Sequence, residues 1–96
     1  GSSNVAVGRW ALAVSLSPQQ NVAVGHTALF RAAASRNVAI GHEAGSSITT
    51  GTDNIMIGHR AGFDTSGSGS NNIYIGSNGF GPDVNTIRVG NSTHVG

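Results

Sequence analysis

The chain has 96 residues, 38% hydrophobic and 9% charged, with a formal charge of +1, five arginines, no lysine and no cysteine. That composition describes one domain with a thin core and excludes a disordered polyelectrolyte, a disulfide scaffold and a thiolate metal site. No basic run exists to neutralise phosphates, no base-stacking platform accompanies it, and no apolar run approaches the roughly 20 residues of a membrane span, so neither nucleic acid nor membrane insertion is expected.

From the N-terminus onward one phrase recurs. NVAVGRWAL opens at Asn4, NVAVGHTAL at Asn21, NVAIGHEAG at Asn37, NIMIGHRAG at Asn54, NIYIGSNGF at Asn72 and TIRVGNSTH at Thr86. The glycines Gly8, Gly25, Gly41, Gly58, Gly76 and Gly90 are spaced by 17, 16, 17, 18 and 14 residues. A motif that keeps its form while its period drifts is the mark of a solenoid whose coils differ in loop length. Residues 4–94 are expected to form one repeat domain of about six coils, with residues 1–3 a tag remnant or lead-in segment.

Each motif begins with a predicted strand, from Val5-Ala6-Val7 to Ile87-Arg88-Val89, whose two outer residues are β-branched and share one face. That face is expected to line the coil interior. The glycine after it ends the strand where the chain must turn. A second, weaker strand is expected at Leu12-Ala13-Val14, Leu29 to Ala32, Ile48-Thr49 and near Phe63, with a helical excursion over Ala28 to Arg36 as the alternative there. Ser66-Gly67-Ser68-Gly69-Ser70 reads as a flexible surface excursion.

Asn4, Asn21, Asn37, Asn54 and Asn72 precede five of the six strands, and stacked at about 4.8 Å per coil their amides are expected to hydrogen-bond along the axis. His26, His42 and His59 follow the glycine in three successive coils and form a second ladder. Two imidazoles on adjacent rungs invite a metal proposal, but the position also holds Arg9 and Ser77, so turn capping is the expected role and no metal is expected. Asp53, Asp64, Asp83 and Glu43 are scattered and make no acid/base pair, and no serine triad or phosphate loop stands out; no catalytic residue and no cofactor is expected. Asn91-Ser92-Thr93 matches a glycosylation sequon, which matters only in a eukaryotic secretory host.

The unit N-[VI]-x-[VI]-G-x-x-A-[LG] resembles the head repeats of trimeric autotransporter adhesins of the YadA type. The run NNIYIGSNGFGPDVNTIRVGNSTH is similar to repeats of phage tail-fibre proteins and related bacterial surface proteins. The resemblance covers residues 4 to 94; Thr86 in place of asparagine and the uneven coil length depart from it. It implies an all-β, left-handed parallel β-roll that associates as a homotrimer, outside the cell, on a virion tail fibre or bacterial surface. The function it implies is that of a structural or adhesive fibre segment presenting a multivalent surface to a host glycan or protein receptor.

The residues add their own argument for assembly. The middle strand positions Ala6, Ala23, Ala39, Met56, Tyr74 and Arg88 are mostly small or apolar although they are expected to point away from the interior, so the first five are assigned to a trimer interface. Trp10, Phe30, Arg31, Arg36, Phe63 and Phe80 are the candidate ligand contacts, as aromatic and arginine side chains suit carbohydrate and protein surfaces. A left-handed β-helix acyltransferase is the alternative: Val22, Ala28, Ala34 and Ile40 fall at intervals of six, though the frame fails at Ser46 and Thr52. An ice-binding solenoid would need regular threonine rows, and only Thr49, Thr50 and Thr52 cluster.

Overall fold

The computed structural model describes residues 3–14, 19–31, 33 and 35–91. Six three-residue strands, β1 (Val5–Val7), β2 (Val22–Val24), β3 (Val38–Ile40), β4 (Ile55–Ile57), β5 (Ile73–Ile75) and β6 (Ile87–Val89), form one parallel sheet in chain order. The repeats stack in register, Ala6 opposite Ala23, Ala23 opposite Ala39, and so to Tyr74 opposite Arg88. The chain is a β-solenoid of about five turns; coils are numbered here by their strands.

The strands face the other way from the sequence expectation. Ala23, Ala39, Met56 and Tyr74 have no exposed surface, whereas Ile57, Ile75, Ile87 and Val89 lie on the outer face at 38 to 73% exposure. Alternation reveals that two faces differ but not which is inside. The interior here is narrow, and alanine fits where a β-branched pair would not. Ala6 and Arg88, in the first and last coils, stay exposed.

Opposite the sheet no second strand forms. The residues at Leu12 to Val14, Leu29 to Arg31 and Phe63 are turns, Ile48 and Thr49 belong to no strand, the described part of Ala28 to Arg36 holds no helix, and Ala32 and Ala34 lie outside the described residues. In coil 4, Ala61 N–H donates to Gly58 O at 3.1 Å and Phe63 N–H to Arg60 O at 2.9 Å, two overlapping turns. Their third residues, Arg60 and Gly62, have φ of 58° and 72°, as type II turns require. The same positions are left-handed in earlier coils, even as Trp10, Leu12, Thr27, Leu29 and Glu43. Alternate amides are thereby freed for neighbouring coils: Arg60 N–H reaches back to His42 O at 2.8 Å and Gly62 N–H forward to Ser77 O at 2.9 Å. Each non-glycine in this conformation costs on the order of 1 kcal/mol, offset by an inter-coil bond that a plain helix or strand would not make here.

The turn wall and the strand wall share one volume. Leu29 sits fully buried in coil 2, where the strand contributes only Ala23. At the same wall position coils 3 and 4 place Gly45 and Gly62, where Met56 and Tyr74 need the room. A Cβ on Gly45 would meet Met56 Cε at 2.9 Å and Leu29 Cδ2 at 3.0 Å. Ser66 to Ser70 is not a loose excursion: Gly67 and Gly69 are buried, and Gly67 O accepts the N–H groups of Thr49, Thr50 and Gly51 at 2.8 to 3.1 Å.

Candidate functional site

The asparagine column is a buried rung system whose partners are mainly backbone. Asn37 N–H donates to Asn21 Oδ1, Asn54 N–H to Asn37 Oδ1 and Asn72 N–H to Asn54 Oδ1, at 2.9 to 3.0 Å. The Nδ2 groups close each coil on itself, Asn37 to Gly51 O, Asn54 to Gly69 O and Asn72 to Asp83 O. Among the described residues, a direct amide-to-amide bond runs from Asn54 Nδ2 to Asn37 Oδ1 at 3.1 Å. Thr86 takes the asparagine position in coil 6 and donates its N–H to Asn72 Oδ1 at 3.0 Å. One short asparagine arm supplies an acceptor to the next coil and a donor to its own, a structural role.

Beside Tyr74, the core column meets a polar network. Asp83 is buried, and its carboxylate accepts from Tyr74 Oη at 2.8 Å, Phe80 N–H at 3.0 Å and both Nε and a terminal nitrogen of Arg88 at 2.6 and 2.8 Å. The hydrogen bond from Arg88, set against desolvation and helped by Tyr74, holds the Asp83 carboxyl down to about 2. Burial, with the adjacent carboxylate, pushes the Tyr74 phenol up. Tyr74 and Arg88 thus belong to one polar network centred on Asp83.

His26, His42 and His59 do stack along one exposed edge. His26 and His42 lie parallel, with centroids 5.0 Å apart and planes 7° from each other; His42 and His59 meet edge-on at 5.1 Å and 81°. Glu43 joins this edge, its Oε1 3.7 Å from His42 Nδ1 and 3.0 Å from Arg60 Nε. One donor atom each from His42, Glu43 and His59 lies within 4.8 Å of the other two.

The candidate ligand contacts divide into two sets. Phe30, Arg31 and Phe63 border one open groove of about 590 Å³ with Ser46 and Ser47. Phe30, Ser46 and Phe63 each stand five residues after the coil glycine, so the groove is the notch left where coil 3 has serine between two phenylalanines. Trp10 packs edge-on against Phe30 at 6.4 Å. Arg36 is not brought to the groove; it forms two hydrogen bonds with Asp53, at 2.8 and 3.1 Å, which raise its own pKa and lower that of Asp53. Phe80 lies beside Arg88, near the Asp83 network. Ser92 and Thr93 of the sequon lie outside the described residues.

Of the five residues assigned to an interface, Ala6 is exposed and the other four fail on geometry. Ala23, Ala39, Met56 and Tyr74 are enclosed within their own chain and cannot meet another. The exposed apolar face is instead the one formed by Val5, Val7, Ile40, Ile55, Ile57, Ile75, Ile87 and Val89. The signal that would have located it was the volume trade between the middle strand residue and the turn wall, Ala23 with Leu29 but Met56 with Gly62. No protein-family model, curated protein or solved structure matches this chain.

Proposed function

We propose that the chain is a non-catalytic segment of a homotrimeric extracellular fibre, the shaft or head of an adhesin or tail fibre, built on a left-handed β-roll. One observation carries the reading. The outer face of the β1–β6 sheet presents two columns of valine and isoleucine across six coils, with Ile87 and Val89 at 70 and 73% exposure. Parallel sheets are ordinarily covered on both faces, and a continuous apolar patch marks a surface that another body covers. The strip is three residues wide, about 10 Å, and six strands long. Three such strips facing a common axis close into a prism whose core is the valine and isoleucine columns. The resemblance to trimeric adhesin heads supports the threefold over a twofold arrangement.

On that arrangement the turn wall faces outward, and the notch between Phe30 and Phe63 would be presented three times around the fibre. A shallow groove of hydroxyls between aromatic rings suits a glycan or protein receptor bound weakly and repeatedly, avidity replacing depth. The test is sedimentation equilibrium at micromolar concentration: a trimer is expected, and a stable monomer overturns the reading. A glycan and matrix-protein array probed with the parent and with Phe30→Ala then reports on the groove.

A further inference from the structure

We infer that His42, Glu43 and His59 bind one divalent transition-metal ion of the imidazole-preferring class, represented by Zn2+, at a surface site that the solenoid carries but does not depend on. The expectation of a metal-free ladder counted Glu43 only among four scattered acids, and the fold groups its carboxylate with His42 and His59. The backbone beneath the site is held by ladder bonds: Glu43 N–H donates to His26 O and Arg60 N–H to His42 O, both at 2.8 Å. Above that fixed base the side chains are exposed or half-buried. Their donor atoms already lie within 4.8 Å of one another. Ligands at about 2.0 to 2.2 Å from a tetrahedral ion stand roughly 3.3 Å apart, a gap that small side-chain rotations close. Two imidazoles and one carboxylate favour Zn2+, Cu2+ or Ni2+ over Mg2+ or Ca2+ and leave a coordination position for water.

Arg60 is the built-in competitor. Its Nε holds Glu43 Oε1 at 3.0 Å, and its charge sits beside the incoming cation. When Glu43 turns to a metal, Arg60 keeps a partner, since its Cζ lies 4.2 Å from the centroid of Phe63. This gives the site a signature that adventitious histidine binding lacks: removing a residue that is not a ligand strengthens it.

The intact chain is titrated with Zn2+ by calorimetry at pH 7.5, and with Co2+ followed by visible absorption. One ion per chain is expected. His42→Ala and His59→Ala should each weaken binding at least about tenfold, Glu43→Gln about tenfold, and Arg60→Gln should tighten it severalfold. His26→Ala, a stacking neighbour outside the triad, should change it less than about threefold. Metal-free melting temperatures should match the parent, showing that the fold survives. Independently of any variant, Ni2+ should broaden the ring proton signals of His42 and His59 in the parent before those of His26. No binding up to millimolar Zn2+, binding that survives the double variant His42→Ala/His59→Ala, or weaker binding in Arg60→Gln overturns the inference.

Discussion

Gly62 and Met56 occupy what is effectively one side-chain space: a Cβ on Gly62 would stand 2.7 Å from the Met56 sulfur and 3.0 Å from its Cγ. Gly62→Ala should therefore cost about 1 to 3 kcal/mol from overpacking, in addition to the strain of alanine at φ 72°. In a Met56→Ala background the contacts with Met56 disappear while the 3.2 Å approach to Tyr74 Cδ2 and the backbone strain remain, so the cycle isolates the volume shared with Met56. Urea denaturation of the four proteins should give a favourable coupling of about 0.5 to 3 kcal/mol. Additive costs would mean that the two residues do not compete.

The Asp83 network predicts two pH limits. Asp83 has its folded pKa depressed to about 2, below the ordinary carboxylate value near 3.9, so the stability it contributes is complete above about pH 4 and lost as pH falls toward 2. Tyr74 has its folded pKa raised, so its contribution is complete below the ordinary phenol value near 10 and lost as pH climbs past it. Melting temperature against pH should fall at both ends in the parent. Phe at position 74 should remove the alkaline limb, and Asp83→Asn should lower the melting temperature at pH 7 and flatten the acid limb.

Asn37→Ala removes the acceptor for Asn54 N–H and Nδ2 and the donor to Gly51 O, all buried. With about 1 to 3 kcal/mol for each buried group left unsatisfied, the total should exceed about 3 kcal/mol in denaturant unfolding. Asn37→Asp keeps the acceptor but loses the donor and buries a charge, so it should also destabilise. Asn4→Ala, at the half-buried first rung where Asn21 N–H is its partner, should cost less.

Substitutions on the two sides of one strand should separate folding from assembly. Ala23→Arg, in the enclosed column, should abolish the fold itself, since no space exists for the side chain. Ile57→Lys, on the exposed column, should leave the circular dichroism of the coil intact and convert a trimer to monomers in sedimentation. If Ile57→Lys remains trimeric, the outer face is not the interface.

The six glycines and five asparagines made the solenoid, its strand positions and its register legible, because those residues suit a backbone at positive φ, near 130° at Gly8, Gly25, Gly41 and Gly58, or a rung that must both give and accept. The phase of each strand was not legible from VAV or IMI alone. It is decided by the opposite wall, and Leu29, Gly45 and Gly62 enter that wall from outside the motif's alternating core. The left-handed leucines hid the second wall in turn: Leu12 at φ 54° and Leu29 at φ 48° sit where propensity favours extended or helical backbone. The histidine edge was readable from its 16- and 17-residue spacing, whereas Asp83 was not, because its partners Tyr74 and Arg88 were assigned to the wrong side of the sheet.

Because each rung from Asn21 to Asn72 is made from one asparagine arm and the next coil's backbone, coils 2 to 5 are alike in their ladder bonding. Excising residues 37–53, one 17-residue period, would bring Asn54 N–H to Asn21 Oδ1 and leave an intact ladder one step shorter. The same excision would remove Gly45, the point where the ends of Leu29 and Met56 converge, and drive those two side chains into one space. Natural shortening or duplication of this chain is thus constrained by bulk rather than by bonding: coils can be added or lost only where a glycine-walled coil still separates a leucine-walled one from the large strand residues beyond it.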